Sequence, residues 1–212
     1  MKEFLEKIRI PDRSLKISRK ILNTSSIFLL GIILGILSKW LDNLSIDDTI
    51  WWKHIFGILD LRNVFSLFGI WIFIAATISV FSKTPLRASL NVFLFFVGMT
   101  VSYHLYTIYF SGFNPKNYMM IWYGITMITP ILAFICWYAK GKEKISIIIS
   151  SIILTIMLIS SFSIGVGYFY FKSIIDTILF IGTILVLYVN PKNSVYSLLI
   201  ALLLAFAFRI LV

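Results

Sequence analysis

The sequence predicts an all-α protein, a polytopic transmembrane helix bundle of about seven spans (six to eight), with its N-terminus cytoplasmic. Three observations predict it. The chain is 59% hydrophobic and 13% charged, with a mean hydropathy of +0.95, whereas a soluble domain is nearer half apolar and a quarter charged. Apolar stretches of about 20 residues recur along it, each long enough to cross a hydrocarbon core of roughly 30 Å at about 1.5 Å per residue. The basic residues gather in alternate connections between those stretches.

Residues 1–22, "MKEFLEKIRIPDRSLKISRKIL", form a basic amphipathic cytoplasmic segment ahead of the helical domain at 23–212. Pro11 interrupts it, because proline lacks the N–H a helix interior needs, so the segment reads as two short pieces lying on the inner leaflet. The basic stretch before the first apolar run has no small-residue cleavage site after it, which marks an uncleaved first helix rather than a signal peptide. Spans are expected at 23–41, 64–82, 88–110, 118–139, 145–163, 170–189 and 194–211. Each is expected to be helical, since an isolated strand leaves its amides unpaired in hydrocarbon. The β-branched run "ISIIISSIILTIMLISS" is therefore no argument for strands.

Orientation follows from the cations. Lys2, Lys7, Arg9, Arg13, Lys16, Arg19 and Lys20 precede the first span; Lys83, Arg87, Lys140, Lys142, Lys144 and Lys192 fall in the connections of the same side. Only Lys53, Arg62, Lys116 and Lys172 fall opposite. By the positive-inside rule this puts the N-terminus inside, and seven spans put the C-terminus outside. The formal charge of +10 thus points to anionic headgroups and not to nucleic acid.

No catalytic pattern is present: there is no HExxH, no Gly-x-Ser-x-Gly elbow and no phosphate-binding glycine loop. Cys136 is the only cysteine, so no intrachain disulfide or CxxC pair can form. His104 and Cys136 fall on levels roughly 20 Å apart, beyond direct proton transfer. Neither metal nor cofactor is expected.

Polar residues at depth point to binding. In "NVFLFFVGMTVSYHLY", His104 lies roughly 9 Å below the outer end of its span. Ionisable residues at such depth commonly face the bundle interior or a cavity. With Asp176, Trp122, Tyr106 and Tyr103 it defines a candidate outward-facing ligand site. The connection carrying Trp51, Trp52 and His54 is expected to form a short interfacial helix covering it. Lys39 and Arg209 are read as snorkelling to the headgroups, and Gly31 with Gly35 as a small-xxx-small helix-packing pair. Asn91 is expected to bond across helices, and Thr126 or Thr129 to cover a carbonyl freed by Pro130.

The stretches "FSKTPLRASLNVFLFFVGMTVSYHLYT", "GFNPKNY" and "WYAKGK" resemble an uncharacterised family of small bacterial multi-pass membrane proteins, over roughly residues 25–145. The resemblance implies a bacterial cytoplasmic (inner) membrane and carries no activity and no functional residues. Two function classes follow. One is substrate binding or transport of a small-molecule ligand through the outward pocket, by a subunit resembling the vitamin-capturing components of energy-coupling-factor transporters, although seven spans exceed their usual six. The other is a non-transporting accessory protein in immunity, assembly or signalling, docked to a partner membrane subunit. The lipid bilayer is the partner common to both.

Overall fold

The structure is a computed structural model, and it describes residues 2–12, 14–44, 50–165 and 168–211. Five helices are long and apolar enough to cross a membrane: α2 (Ile17–Asn43), α6 (Pro85–Phe110), α7 (Lys116–Trp137), α8 (Lys144–Ser161) and α10 (Pro191–Leu211). Two apolar helices are shorter, α5 (Phe68–Phe81) and α9 (Ile174–Leu187), at 14 residues each. That length covers only about 21 Å. Three further short α-helices, α1 (Lys2–Ile8), α3 (Trp51–Ile58) and α4 (Leu61–Ser66), and a single 3-10 turn at Tyr138–Lys140 complete the helical set among the described residues.

Side-chain chemistry sets several of the element ends. Thr84 accepts a hydrogen bond from the Arg87 amide at 3.2 Å and Pro85 follows it, so α6 starts with an N-cap and a proline where no N–H is needed. Inside α7, Pro130 leaves the Thr126 carbonyl without its helical donor. The Thr129 hydroxyl donates to that oxygen at 2.8 Å, and Ser89 of α6 donates to the Pro130 carbonyl at 2.7 Å. Asn91 bonds across helices as expected, accepting from Thr24 of α2 at 2.8 Å and donating to Ser82 at 3.2 Å.

Packing divides into two large cores and a smaller one in which Ile8 meets Ala88, Trp137 and Tyr138. Trp71, Phe95, Met99 and Trp122 fill the space among α5, α6 and α7. Leu154, Met157, Leu158, Phe180 and Ala201 fill that among α8, α9 and α10. Gly31 and Gly35 of α2 lie directly on the backbone of α6 at Phe95 and Met99, which makes their small-residue face an internal seam. Because α6 already fills it, that face is not open to a partner subunit.

Hydrogen bonds identify the two ends of the bundle. At one, Arg9 reaches the carbonyls of Val80 and Trp137, and Lys83 pairs with Asp12 at 2.7 Å. At the other, Asn43 bonds Ser111 at 2.8 Å and Ser66 bonds Asp42 at 3.3 Å. The cation-rich connections expected on one side therefore meet at one end.

Residues 1–22 differ from the expected pair of leaflet-bound pieces. Residues 17–22 belong to α2, and α1 folds back against the helix ends, with Ile8 buried and its carbonyl accepting from the Lys142 amide at 3.2 Å. Phe4 and Ile10 remain exposed. A second difference is a two-stranded antiparallel hairpin, β1 (Phe162–Gly165) and β2 (Tyr168–Phe171), where residues 162–163 and 170–171 were expected in spans. Its strand residues are largely aromatic, a preference of pleated surfaces. Phe162 stacks on Phe169 and meets Phe180 edge-on, which ties the hairpin to α9.

Candidate functional site

A polar cluster is organised around Asp42, at the end of α2 away from the Arg9 cluster. Tyr103 of α6 donates its hydroxyl to one carboxylate oxygen at 2.7 Å, Ser66 of α4 donates to the other at 3.3 Å, and the Lys39 ammonium lies 3.8 Å away. Lys39 is only 7% exposed, so it does not snorkel as expected. Its ammonium also sits 5.5 Å from the Tyr103 ring centre and 5.4 Å from that of Phe113. The i and i+3 spacing of Lys39 and Asp42 was the available sequence signal for this pair.

Of the predicted site residues, Tyr103 and Trp122 are brought together. Trp122 packs against Phe68 at 5.3 Å, Trp71 at 6.4 Å and Tyr118 at 6.4 Å, and Tyr118 lies 6.2 Å from Tyr103. With Asp42 and Ser66 they line a recess of about 20 Å³. That is room for about one water molecule, so the cluster is closed to a solute.

His104, Tyr106 and Asp176 go elsewhere. Consecutive helical residues point about 100° apart, so His104 cannot share the Tyr103 face. Its Nδ1 lies 2.9 Å from the Tyr123 hydroxyl and its Nε2 2.9 Å from the Asn114 side-chain oxygen. Tyr106 stacks on Phe110 with ring centres 4.6 Å apart. Asp176 is buried in the first turn of α9 beside Gly69 of α5, behind a Ser173 N-cap whose hydroxyl accepts from the Ile175 amide at 3.2 Å. The five residues thus fall in four separate places instead of one chamber.

The expected cover forms but stands to the side. In α3, Trp52 stacks on Trp40 at 6.4 Å and meets Phe56 edge-on at 5.6 Å, while Trp51 is 75% exposed. Neither these residues nor His54 lines the recess, which is walled there by Phe65 and Ser66 of α4. Residues 45–49, part of the same connection, lie outside the described residues. Among the described residues no group of His, Cys, Asp or Glu is arranged to hold a metal ion.

A larger space lies deeper. A crevice of about 300 Å³ runs between α5, α6, α7 and α8, from Phe68, Trp71 and Trp122 at the end nearer Asp42 to Ser79 and Cys136 at the other. From 122 to 136 along α7 this covers roughly 20 Å. Its rim is exposed on both sides, through Leu132 and Ile135 of α7 and Ile152 and Ile156 of α8, so it opens sideways between those helices. Its few polar walls are already satisfied: Ser79 donates to the Ala75 carbonyl at 2.7 Å, Thr129 to that of Thr126 at 2.8 Å and Trp71 to that of Phe65 at 3.0 Å. Sequence reasoning found Trp122 but missed the crevice, because a gap between helices leaves no residue pattern.

No family model, curated protein or solved structure matches the chain. The site is therefore read from its own geometry.

Proposed function

We propose that the chain is a small multi-pass membrane protein that binds an elongated apolar molecule, an acyl or prenyl chain drawn from the bilayer, in the crevice beneath Trp122. The observation that carries this reading is a 300 Å³ space with satisfied polar walls and a side opening at membrane depth. Its volume is that of a ligand pocket. Empty apolar space is costly, and the surrounding hydrocarbon is what fills it. The cluster of polar groups around Asp42 supports binding of a solute from outside less well, since Tyr103 would first have to leave Asp42.

Filling the crevice tests the proposal. Native mass spectrometry of the purified protein is expected to show one lipid-like adduct that survives detergent exchange. Ala75→Phe, from a position lining the crevice, should reduce its occupancy about tenfold while the melting temperature is kept. An adduct unchanged by that substitution, or none in the wild type, refutes the reading.

The same proposal places seven crossings in a bacterial cytoplasmic membrane with the N-terminus inside. It is supported by the basic residues collected at the Arg9 end, and by α4 with α5 carrying the chain from Ser66 at one end to Val80 at the other. The 14-residue helices would cross with the help of α4 and of the hairpin, respectively. Reporter fusions check it: fusions after Asn114 and Val212 should read as external and one after Lys142 as cytoplasmic. A cytoplasmic signal at Asn114 overturns the order of the first three crossings.

A further inference from the structure

A second cavity, of about 410 Å³, opens between α2, α5 and α6 at the Arg9 end, on the face of α5 away from the crevice. Its walls are amphiphilic. Ile27, Ile78 and Phe81 line its apolar part, while Asn23, Ser26, Lys83 and Arg87 line its polar part. Arg87 is held in place, with Nη2 donating to the Lys20 carbonyl at 2.9 Å and to the Thr24 hydroxyl at 3.1 Å. Thr24 in turn donates to Asn91, and Asn91 to Ser82, so the cation stands on a connected network. No carboxylate lines the cavity. The nearest described one is Asp12, which pairs with Lys83 at 2.7 Å from the N-terminal segment.

We propose that this cavity is a binding site for an anionic phospholipid, with the phosphodiester between Arg87 and Lys83 and the start of an acyl chain along Ile27 and Ile78. The chemistry on each wall argues for it. A guanidinium presents several donors in a planar fork that suits phosphate oxygens, and a lysine adds a point charge. The apolar wall immediately below needs the hydrocarbon that a free phosphate lacks. The excess of cations at this end favours a net negative headgroup over a zwitterionic one. A lipid phosphate would share Lys83 with Asp12, so occupancy also loosens the tie between the N-terminal segment and the α5–α6 turn. The site shares no lining residue with the crevice, and the two readings fail independently.

The test titrates delipidated full-length protein, in an uncharged detergent, with short-chain phosphatidylglycerol, short-chain phosphatidylcholine and inorganic phosphate, following thermal unfolding. Phosphatidylglycerol should bind saturably and lose affinity with rising salt. Lys83→Gln and Arg87→Gln should each weaken it about tenfold, the loss of one charge-assisted contact. Lys192→Gln, which removes a cation from the same end outside the cavity, should leave it unchanged. If Arg87→Gln does not fold, Lys83→Gln decides, because Lys83 is exposed and its described side-chain bond is to Asp12. Equal stabilisation by phosphatidylcholine, an equal loss in Lys192→Gln, or an unchanged affinity in Lys83→Gln overturns the proposal. So does inorganic phosphate reproducing the full affinity, which would reassign the cavity to a soluble anion.

Discussion

Replacing Arg9 with glutamine is expected to destabilise the protein by about 2 kcal/mol, the range for charged hydrogen bonds to partly buried partners. The last carbonyls of a helix have no donor within it and carry the negative end of its dipole. Arg9 answers both needs for two helices at once, donating to the Trp137 carbonyl of α7 at 2.6 Å and to the Val80 carbonyl near the end of α5 at 2.8 Å. Its guanidinium also lies 4.1 Å from the centre of the Trp137 ring. Burial lowers the pKa of Arg9, yet an arginine starts so high that it stays charged. Glutamine removes the charge and cannot span both carbonyls. Lysine restores a point charge without the fork and should recover part of the loss. Thermal melts measure the effect, and trypsin reports its place: with the segment detached, cleavage after Lys16 should quicken. A glutamine variant with wild-type melting and cleavage would show that the contact does not hold the N-terminal segment.

Arg9 also shows why part of this fold was hidden from sequence. Its partners lie 71 and 128 residues away, and nothing about "EKIRIPD" distinguishes a cation that caps helices from one that touches lipid. Features governed by local rules were legible. Pro130 leaves the carbonyl four residues earlier without its donor, so a nearby hydroxyl could be named in advance, and Thr129 fills the role. Asn91, too polar to face hydrocarbon, could be expected to bond across helices. Hydropathy recognised the five long helices but not the breaks that shorten α5 and α9, because Leu67 before α5 and Phe171 before α9 are as apolar outside a helix as they would be within it.

The candidate site failed as one unit for a related reason. Depth along a helix is readable from residue number, whereas direction around the helix depends on which neighbour packs where. His104 and Tyr103 share a level and face different partners. Tyr103 and Trp122 meet because α6 and α7 pack closely, and α7 also lines the crevice further along. The larger space arises where α7 and α8 touch sparsely, a relation between two non-local surfaces. It follows that Phe68, Trp71 and Trp122, near the Asp42 end, serve as the wall of the apolar space between the helices.

Gly35→Ala in α2 should cost far more than the same methyl group added to Gly124 of α7, on the order of 3 kcal/mol, because overpacking is most severe where the obstacle is backbone. A Cβ built on Gly35 would collide with the Met99 carbonyl and the Ser102 hydroxyl, and one on Gly31 with the Phe95 carbonyl. Ser102 could rotate, at the loss of its 3.0 Å bond to the Ile32 carbonyl of α2. Met99 O cannot move without shifting α6. That helix carries Asn91, Thr100 and Tyr103 toward their partners, so separating α2 from α6 would disturb both ends of the bundle together. Gly124→Ala is the matched control, since its Cβ would meet nothing within 4 Å in α7. There the helix preference for alanine predicts an unchanged or slightly raised stability, by up to about 1 kcal/mol. Unfolding of the two purified variants in the same detergent makes the comparison. Equal stability in Gly35→Ala and the wild type would mean that the α2–α6 seam can open by the width of a methyl group, and the close approach of the two backbones would then not be what holds the first half of the bundle together.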